Sequence, residues 1–241
     1  MKAFLFLFSA LFALGCTKKE LSGTIPIVKP GTDTAIEPVV NKKTYLALGD
    51  SYTIGQSVSS AESYPYQLVK VLNDQKLDFA SPTIIARTGW TTGDLKQAIS
   101  STQLNVKYDL VTLLIGVNNQ YRGYSKEDYR REFVELLTTA LKFAGGNKSL
   151  IYVISIPDWG VTTFGRGSNK NMEISMDIDA FNAINKAETL KMDIAYIDIT
   201  PESRQALNND SLIASDGLHP SGTMYADWVK MLSPEILKVL K

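Results

Sequence analysis

The chain has 241 residues, with 25 Lys plus Arg against 25 Asp plus Glu, one His and one Cys. This balance leaves no global field directed at nucleic acid or at an anionic surface. One His and one Cys are too few for a zinc site of the usual His/Cys kind, and a single thiol cannot form an internal disulfide; neither metal nor cofactor is expected.

At the N-terminus, Lys2 precedes an apolar run from Ala3 to Leu14, followed by Gly15-Cys16. The run is too short to span a bilayer and fits the apolar segment of a signal peptide. A small residue before a lone cysteine resembles a bacterial lipoprotein cleavage site, although Leu14 stands one place nearer the cysteine than the usual pattern. Residues 1–15 are therefore expected to be a lipoprotein signal peptide and Cys16 the lipidated first residue of the mature chain. That implies a location in the bacterial cell envelope outside the cytoplasm, on the membrane through lipid alone. The competing reading is an ordinary secretory signal with a chance cysteine. Residues 16–43, rich in Thr, Pro, Lys and Val without helical or alternating period, read as a flexible tether. What remains, 44–241, is about 200 residues, enough for one sizeable core.

Within that domain, apolar β-branched runs recur at Tyr45–Leu48, Thr83–Ala86, Leu110–Ile115, Leu150–Ile156 and Ala195–Ile199. They lack clean alternation, as expected of strands covered on both faces. Between and after them, Tyr66–Leu72, Lys126–Phe143, Ile178–Leu190 and about Thr223–Leu240 carry apolar residues at three- and four-residue spacing and predict amphipathic helices. Ser125 with Asp128 reads as a helix start and Gly145-Gly146 as a stop. Alternating strands and helices predict an α/β fold: a doubly wound parallel sheet in a three-layer α/β/α sandwich.

The residues that suggest chemistry follow predicted strands, where ligands bind in open α/β sheets. Tyr45–Leu48 runs straight into Gly49-Asp50-Ser51, which places a hydroxyl at the carboxyl end of a strand. Near the other end stands Asp216-Gly217-Leu218-His219-Pro220. As His219 is the only histidine, any imidazole base for Ser51 must be this residue, with Asp216 three residues earlier to hold its other nitrogen. The plainer roles are a helix N-cap for Ser51 and a turn residue for His219. Gly89, in Arg87-Thr88-Gly89-Trp90, and Asn118, in Gly116-Val117-Asn118-Asn119, offer a backbone N–H and a side-chain amide to an oxyanion, beside the N–H of Ser51. Gly89 is expected to be glycine because a β-carbon would obstruct close backbone approach. Between Pro157 and about Ser175 the predicted connection is long and glycine-rich, which suits a mobile wall at the substrate entrance. There Trp159 or Phe164 could meet a sugar or an acyl chain and Arg166 an anionic group; Trp90, Tyr121 and Asn119 are further candidates.

Taken in order, the Ser51, Gly89, Asn118 and Asp216–His219 blocks resemble those of the SGNH (GDSL-type) esterases and acylhydrolases, over about residue 44 to the C-terminus. The resemblance implies the SGNH hydrolase fold with flavodoxin-like strand order. It implies a catalytic Ser51, Asp216 and His219 and an oxyanion hole of Ser51, Gly89 and Asn118. One position departs: Asn119 stands where the family usually has Asp. The expected activity is hydrolysis of short acyl or acetyl esters, on small molecules or glycans, through a Ser51 acyl-enzyme. A lysophospholipase or thioesterase with the same site is the alternative within enzymes, and a surface lipoprotein binding glycan or lipid without turnover the alternative outside them. A nucleotide-binding flavodoxin-like protein fits poorly, since no glycine-rich phosphate loop follows the first strand.

Overall fold

Five parallel strands, β1 (Tyr45–Gly49), β2 (Thr83–Ala86), β3 (Leu110–Leu114), β4 (Ile151–Ile154) and β5 (Ala195–Ile197), form one sheet in the order β2-β1-β3-β4-β5. The computed structural model describes residues 41–104 and 107–241. The expected signal peptide, Cys16 and nearly all of the tether lie outside the described residues.

Every residue of β1, β3 and β4 is buried, whereas the outer strands β2 and β5 are partly exposed. The central runs therefore have no polar face to alternate with. Around the sheet lie α1 (Ser51–Ile54), α2 (Tyr64–Asp74), α3 (Thr92–Ser101), α4 (Val117–Tyr121), α5 (Lys126–Phe143), α6 (Thr163–Gly167), α7 (Asn171–Lys191), α8 (Thr200–Ser203) and α9 (Gly222–Leu240). One layer is the pair α2 and α9; in the other, α5 packs between α3 and α7. Leu68, Leu72, Trp228, Leu232 and Ile236 are fully buried in the first layer and Leu136, Leu137 and Ile178 in the second. Each such side chain contributes about 1.5–3 kcal/mol. Two buried tyrosines share a hydrogen-bond partner within the core: Thr112 Oγ1 lies 2.8 Å from Tyr45 Oη and 3.1 Å from Tyr64 Oη.

Register determines where the site forms. Gly49 pairs with Ala86 on one side and with Leu114 on the other, so β1, β2 and β3 end level. Ser51, Gly89 and Asn118 follow those ends by two to four residues and are brought side by side. Because β2 and β3 flank β1 on opposite sides, this is also where the winding reverses, the place at which open α/β sheets bind ligands.

Two expectations are corrected. The third long helix begins at Asn171 rather than Ile178, and the predicted mobile connection after Pro157 is mostly turns of helix: a 3₁₀ turn at Trp159–Val161, then α6. Polar side chains cap both turns, Asp158 accepting from the Gly160 N–H at 2.8 Å and Thr162 Oγ1 from the Gly165 N–H at 3.1 Å. Gly165 is demanded by packing, since a β-carbon there would run into the Trp159 carbonyl oxygen. Its glycine signals close approach rather than looseness. Among the described residues no helix is long and apolar enough to cross a membrane.

Candidate active site

The turn that carries Ser51 is built by Asp50. Its Oδ1 accepts the Tyr52 N–H at 3.0 Å and N-caps α1, which leaves Ser51 as the first helical residue rather than the cap. The N–H groups of a first helical turn have no acceptor within the helix, so Ser51 presents both a hydroxyl and a backbone donor at the strand end. Asp50 is fully buried, and its Oδ2 has no hydrogen-bond partner among the described residues. Burial, only partly offset by backbone hydrogen bonds, pushes the carboxyl up to about 7.

Asp216 and His219 sit on a loop closed by a bridge between Ile213 and Pro220 and by the Ala214 N–H donating to the His219 carbonyl at 2.7 Å. Asp216 Oδ1 accepts the N–H groups of Leu218 and His219 at 2.9 and 3.0 Å. Its Oδ2 lies 2.6 Å from His219 Nδ1 and accepts Ser57 Oγ at 2.6 Å. Burial opposes the charge, but the bonds from Ser57, from the His219 backbone and ring and from Leu218 outweigh it and hold the carboxyl far below its ordinary range. With Nδ1 held by Asp216, Nε2 is the imidazole nitrogen left to exchange a proton.

On the opposite side, Gly89 has φ +83°, and a β-carbon there would meet nothing closer than an Arg122 Nη at 3.6 Å. Its glycine is required by the left-handed backbone and not, as the sequence suggested, by crowding. Arg122 donates to the Gly89 carbonyl at 2.6 Å and so orients that peptide. Asn118, on α4, donates one N–H of its amide to the Trp90 carbonyl at 2.9 Å, which leaves the second free to point elsewhere.

Asn119 does not face the cavity. It is fully buried, accepts the Thr92 N–H at 3.0 Å and donates from Nδ2 to Thr92 Oγ1 at 2.7 Å, while that hydroxyl donates to Glu132. A hydroxyl has one proton to give. Since Glu132 receives it, the neighbour at 119 must itself be a donor, which accounts for Asn at the position where the resemblance led to an expected Asp.

Ser51, Gly89, Asn118 and His219 line one cavity of about 170 Å³, walled by Val117, Tyr121, Trp159, Phe164 and Leu218. Trp159 is buried, its indole N–H donating to Gln120 Oε1 at 2.8 Å, and its ring lies 5.6 Å from Tyr121 and 6.0 Å from Phe164. The latter two are exposed at the mouth. Arg166 is not at this cavity: it pairs with Asp210 at 3.1 Å and donates to the carbonyls of Leu207 and Val161, fastening α6 to the segment ahead of the Asp216 loop. Trp90 likewise packs against the core and offers the site only its carbonyl. Ser57 and Glu132 escaped the sequence reading, because a lone Ser in a turn and a lone Glu on a helix carry no signal until a distant segment is folded against them.

Residues 47–226 match the sequence profile of the GDSL-like lipase/acylhydrolase family. The chain belongs to this family. Solved structures share its fold. The crystal structure of TesA superposes with a TM-score of 0.63 at 19% identity, over 83% of this chain and 100% of that one. A lipase/acylhydrolase from Enterococcus faecalis gives 0.62 at 21%, over 83% and 97%. An acetylxylan esterase from Geobacillus stearothermophilus gives 0.58 at 18%, over 82% and 94%. No curated protein matches in sequence. This GDSL-like chain thus has the α/β fold of the SGNH hydrolases, with Ser51, Gly89, Asn118 and His219 gathered at one rim.

Proposed function

We propose that the protein is a serine esterase that hydrolyses short acyl or acetyl esters through a Ser51 acyl-enzyme. The observation that carries this reading is the shared cavity of Ser51, Gly89, Asn118 and His219, with Asp216 2.6 Å from His219 Nδ1. Ser51 Oγ attacks the ester carbonyl as its proton passes to His219 Nε2, and Asp216 holds the imidazolium. The oxyanion is received by the Ser51 and Gly89 N–H groups and by the free N–H of Asn118; one such donor is worth about 10²- to 10³-fold in rate. Collapse expels the alcohol, which takes the proton back from Nε2. Water, deprotonated by the same nitrogen, then releases the acid.

The size of the cavity favours a short acyl group. At about 170 Å³ it is comparable to the ~150 Å³ cavity that accommodates a benzene molecule. The exposed rings of Tyr121 and Phe164 at the mouth favour, as a second reading, a longer chain lying along them, as in a lysolipid. A panel of p-nitrophenyl esters of increasing chain length, run beside acetylated xylan, separates the two: activity should peak at two to four carbons (about the length the cavity holds), and a peak at long chains favours the second. An organophosphonate probe should label Ser51 only. Undiminished hydrolysis by a folded Ser51→Ala variant would sink the esterase reading in either form.

We also propose that Cys16 is the lipidated N-terminus and holds the domain on the membrane outside the cytoplasm. Support comes from the apolar run ending in Gly15-Cys16. Mass spectrometry of the mature protein should find an acylated Cys16 first; an unmodified chain with a different N-terminus would refute this.

A further inference from the structure

Asp216 receives one donor for which the scheme above has no use. Ser57 Oγ donates to Oδ2, the same oxygen that holds His219 Nδ1, and both contacts are 2.6 Å. A carboxylate offers about four acceptor positions. Here the Leu218 and His219 N–H groups take those of Oδ1, and Ser57 and the imidazole take those of Oδ2. The set is complete only with Ser57.

The backbone points the same way. Ser57 has φ +68°, in the left-handed region that residues with a side chain rarely adopt. Such conformations persist where surrounding contacts enforce them, and they gather at functional sites. Its neighbour Gln56 accepts Thr88 Oγ1 at 2.6 Å. Two consecutive residues therefore brace both sides of the cavity, one holding the Asp216 loop and the other the segment that carries Gly89.

We propose that Ser57 is a positioning residue of the reaction: its hydroxyl fixes the Asp216 carboxylate so that Oδ2 stays on His219 Nδ1 throughout proton transfer. The inference rests on the serine-esterase reading. Without Ser57, one position on Oδ2 opens to water and the carboxylate can turn about its side-chain torsion. The other carboxylates near this centre are Asp50 and Asp158, which, like Asp216, raise the Tyr52 hydroxyl by their charge; neither makes a hydrogen bond to Asp216 among the described residues.

The test is Ser57→Gly, since glycine accepts the left-handed backbone and the fold should melt no lower than wild type. Its kcat should fall about fivefold to tenfold, a modest loss because the pair is exposed and water partly replaces the donor. KM should stay within about twofold. The acidic limb of kcat/KM should move to higher pH, as a carboxylate short of one donor holds the imidazolium proton more firmly. Ser57→Asn, which tolerates this backbone and keeps a donor, should fall between the two. Wild-type kcat and pH profile in Ser57→Gly would overturn the proposal, as would a loss of rate matched by a loss of thermal stability. A further readout needs no substrate. The chain has one histidine, so the Nδ1 proton resonance is assigned unambiguously and should exchange faster with solvent in Ser57→Gly. Unchanged exchange defeats the positioning role even in a working enzyme, whereas faster exchange in a protein that hydrolyses no ester defeats only the esterase reading.

Discussion

Two aspartates serve the same serine and histidine from opposite settings. Asp50, next to Ser51 on the β1–α1 turn, is fully buried with the Tyr52 N–H on Oδ1 and, among the described residues, no partner on Oδ2, and its carboxyl is pushed up to about 7. Asp216, on the loop before α9, is partly exposed and takes four donors, and its carboxyl is held far below the ordinary range. Both are short acids in turns, so residue type does not distinguish them. The number of donors each receives, against the water each loses, assigns one to carry charge beside the imidazole and the other to shape a turn.

The largest effect should come from removing the charge at the well-solvated acid. Asp216→Asn keeps the shape but presents an amide to Nδ1, and kcat should fall by about 10²- to 10⁴-fold with some activity left. A loss below tenfold would mean that Asp50 or another acid can take its place, and the comparison would collapse.

The second test concerns stability, and the two acids should slope in opposite directions. Between about pH 4 and 7 the folded protein keeps a proton on Asp50 that the unfolded chain has lost, so this group lowers stability as pH rises. Asp50→Asn retains the acceptor for the Tyr52 N–H and removes the buried charge. Urea melts should show the variant equal to wild type near pH 4 and more stable at pH 8, by at most about 4 kcal/mol. Asp216, with its lowered value, stabilises the fold above the ordinary carboxylate range, and that contribution fades as pH drops below it. Equal pH dependence in wild type and Asp50→Asn would show that Asp50 is solvated after all.

The smallest effect on rate is expected from Asn119→Asp, which creates a third acid in a setting like that of Asp50. An aspartate there would compete with Glu132 for the single proton of Thr92. The rate should change by less than about tenfold, because Asn118 keeps its tie to Trp90. Thermal stability should fall, and Glu132→Gln added to Asn119→Asp should restore it. A rate increase of several orders of magnitude in Asn119→Asp would instead mark the natural chain as catalytically impaired.

Much of this was legible in the chain because the signals are local. Tyr45–Leu48 and Leu110–Leu114 are apolar without alternation, as central parallel strands must be, and Gly49-Asp50-Ser51 follows one of them directly. Having a single histidine reduced the choice of base to one residue. What stayed hidden depends on segments far apart in sequence. Ser57 meets Asp216 across 159 positions and Thr92 meets Glu132 across 40, so neither pairing leaves a local trace. Arg166 misled for a related reason: a charge on a glycine-rich stretch suggests an open loop, yet carbonyls and Asp210 were waiting for it. Gly160 and Gly165 there answered to packing, a cause that composition does not distinguish from mobility.

The closure of the Asp216 loop on itself bears on how the protein acquires its chemistry. Acid and base stand three residues apart in a turn tied by its own backbone bonds, so bringing them together costs little loop entropy. Ser51 can join them only when β1 is in the sheet and α9 has docked, contacts that span most of the domain and form slowly. During refolding the acid–base pair should therefore exist well before a competent enzyme does. Recovery of ester cleavage would then report the closing of the longest-range contacts, later than any signal from helix or strand content.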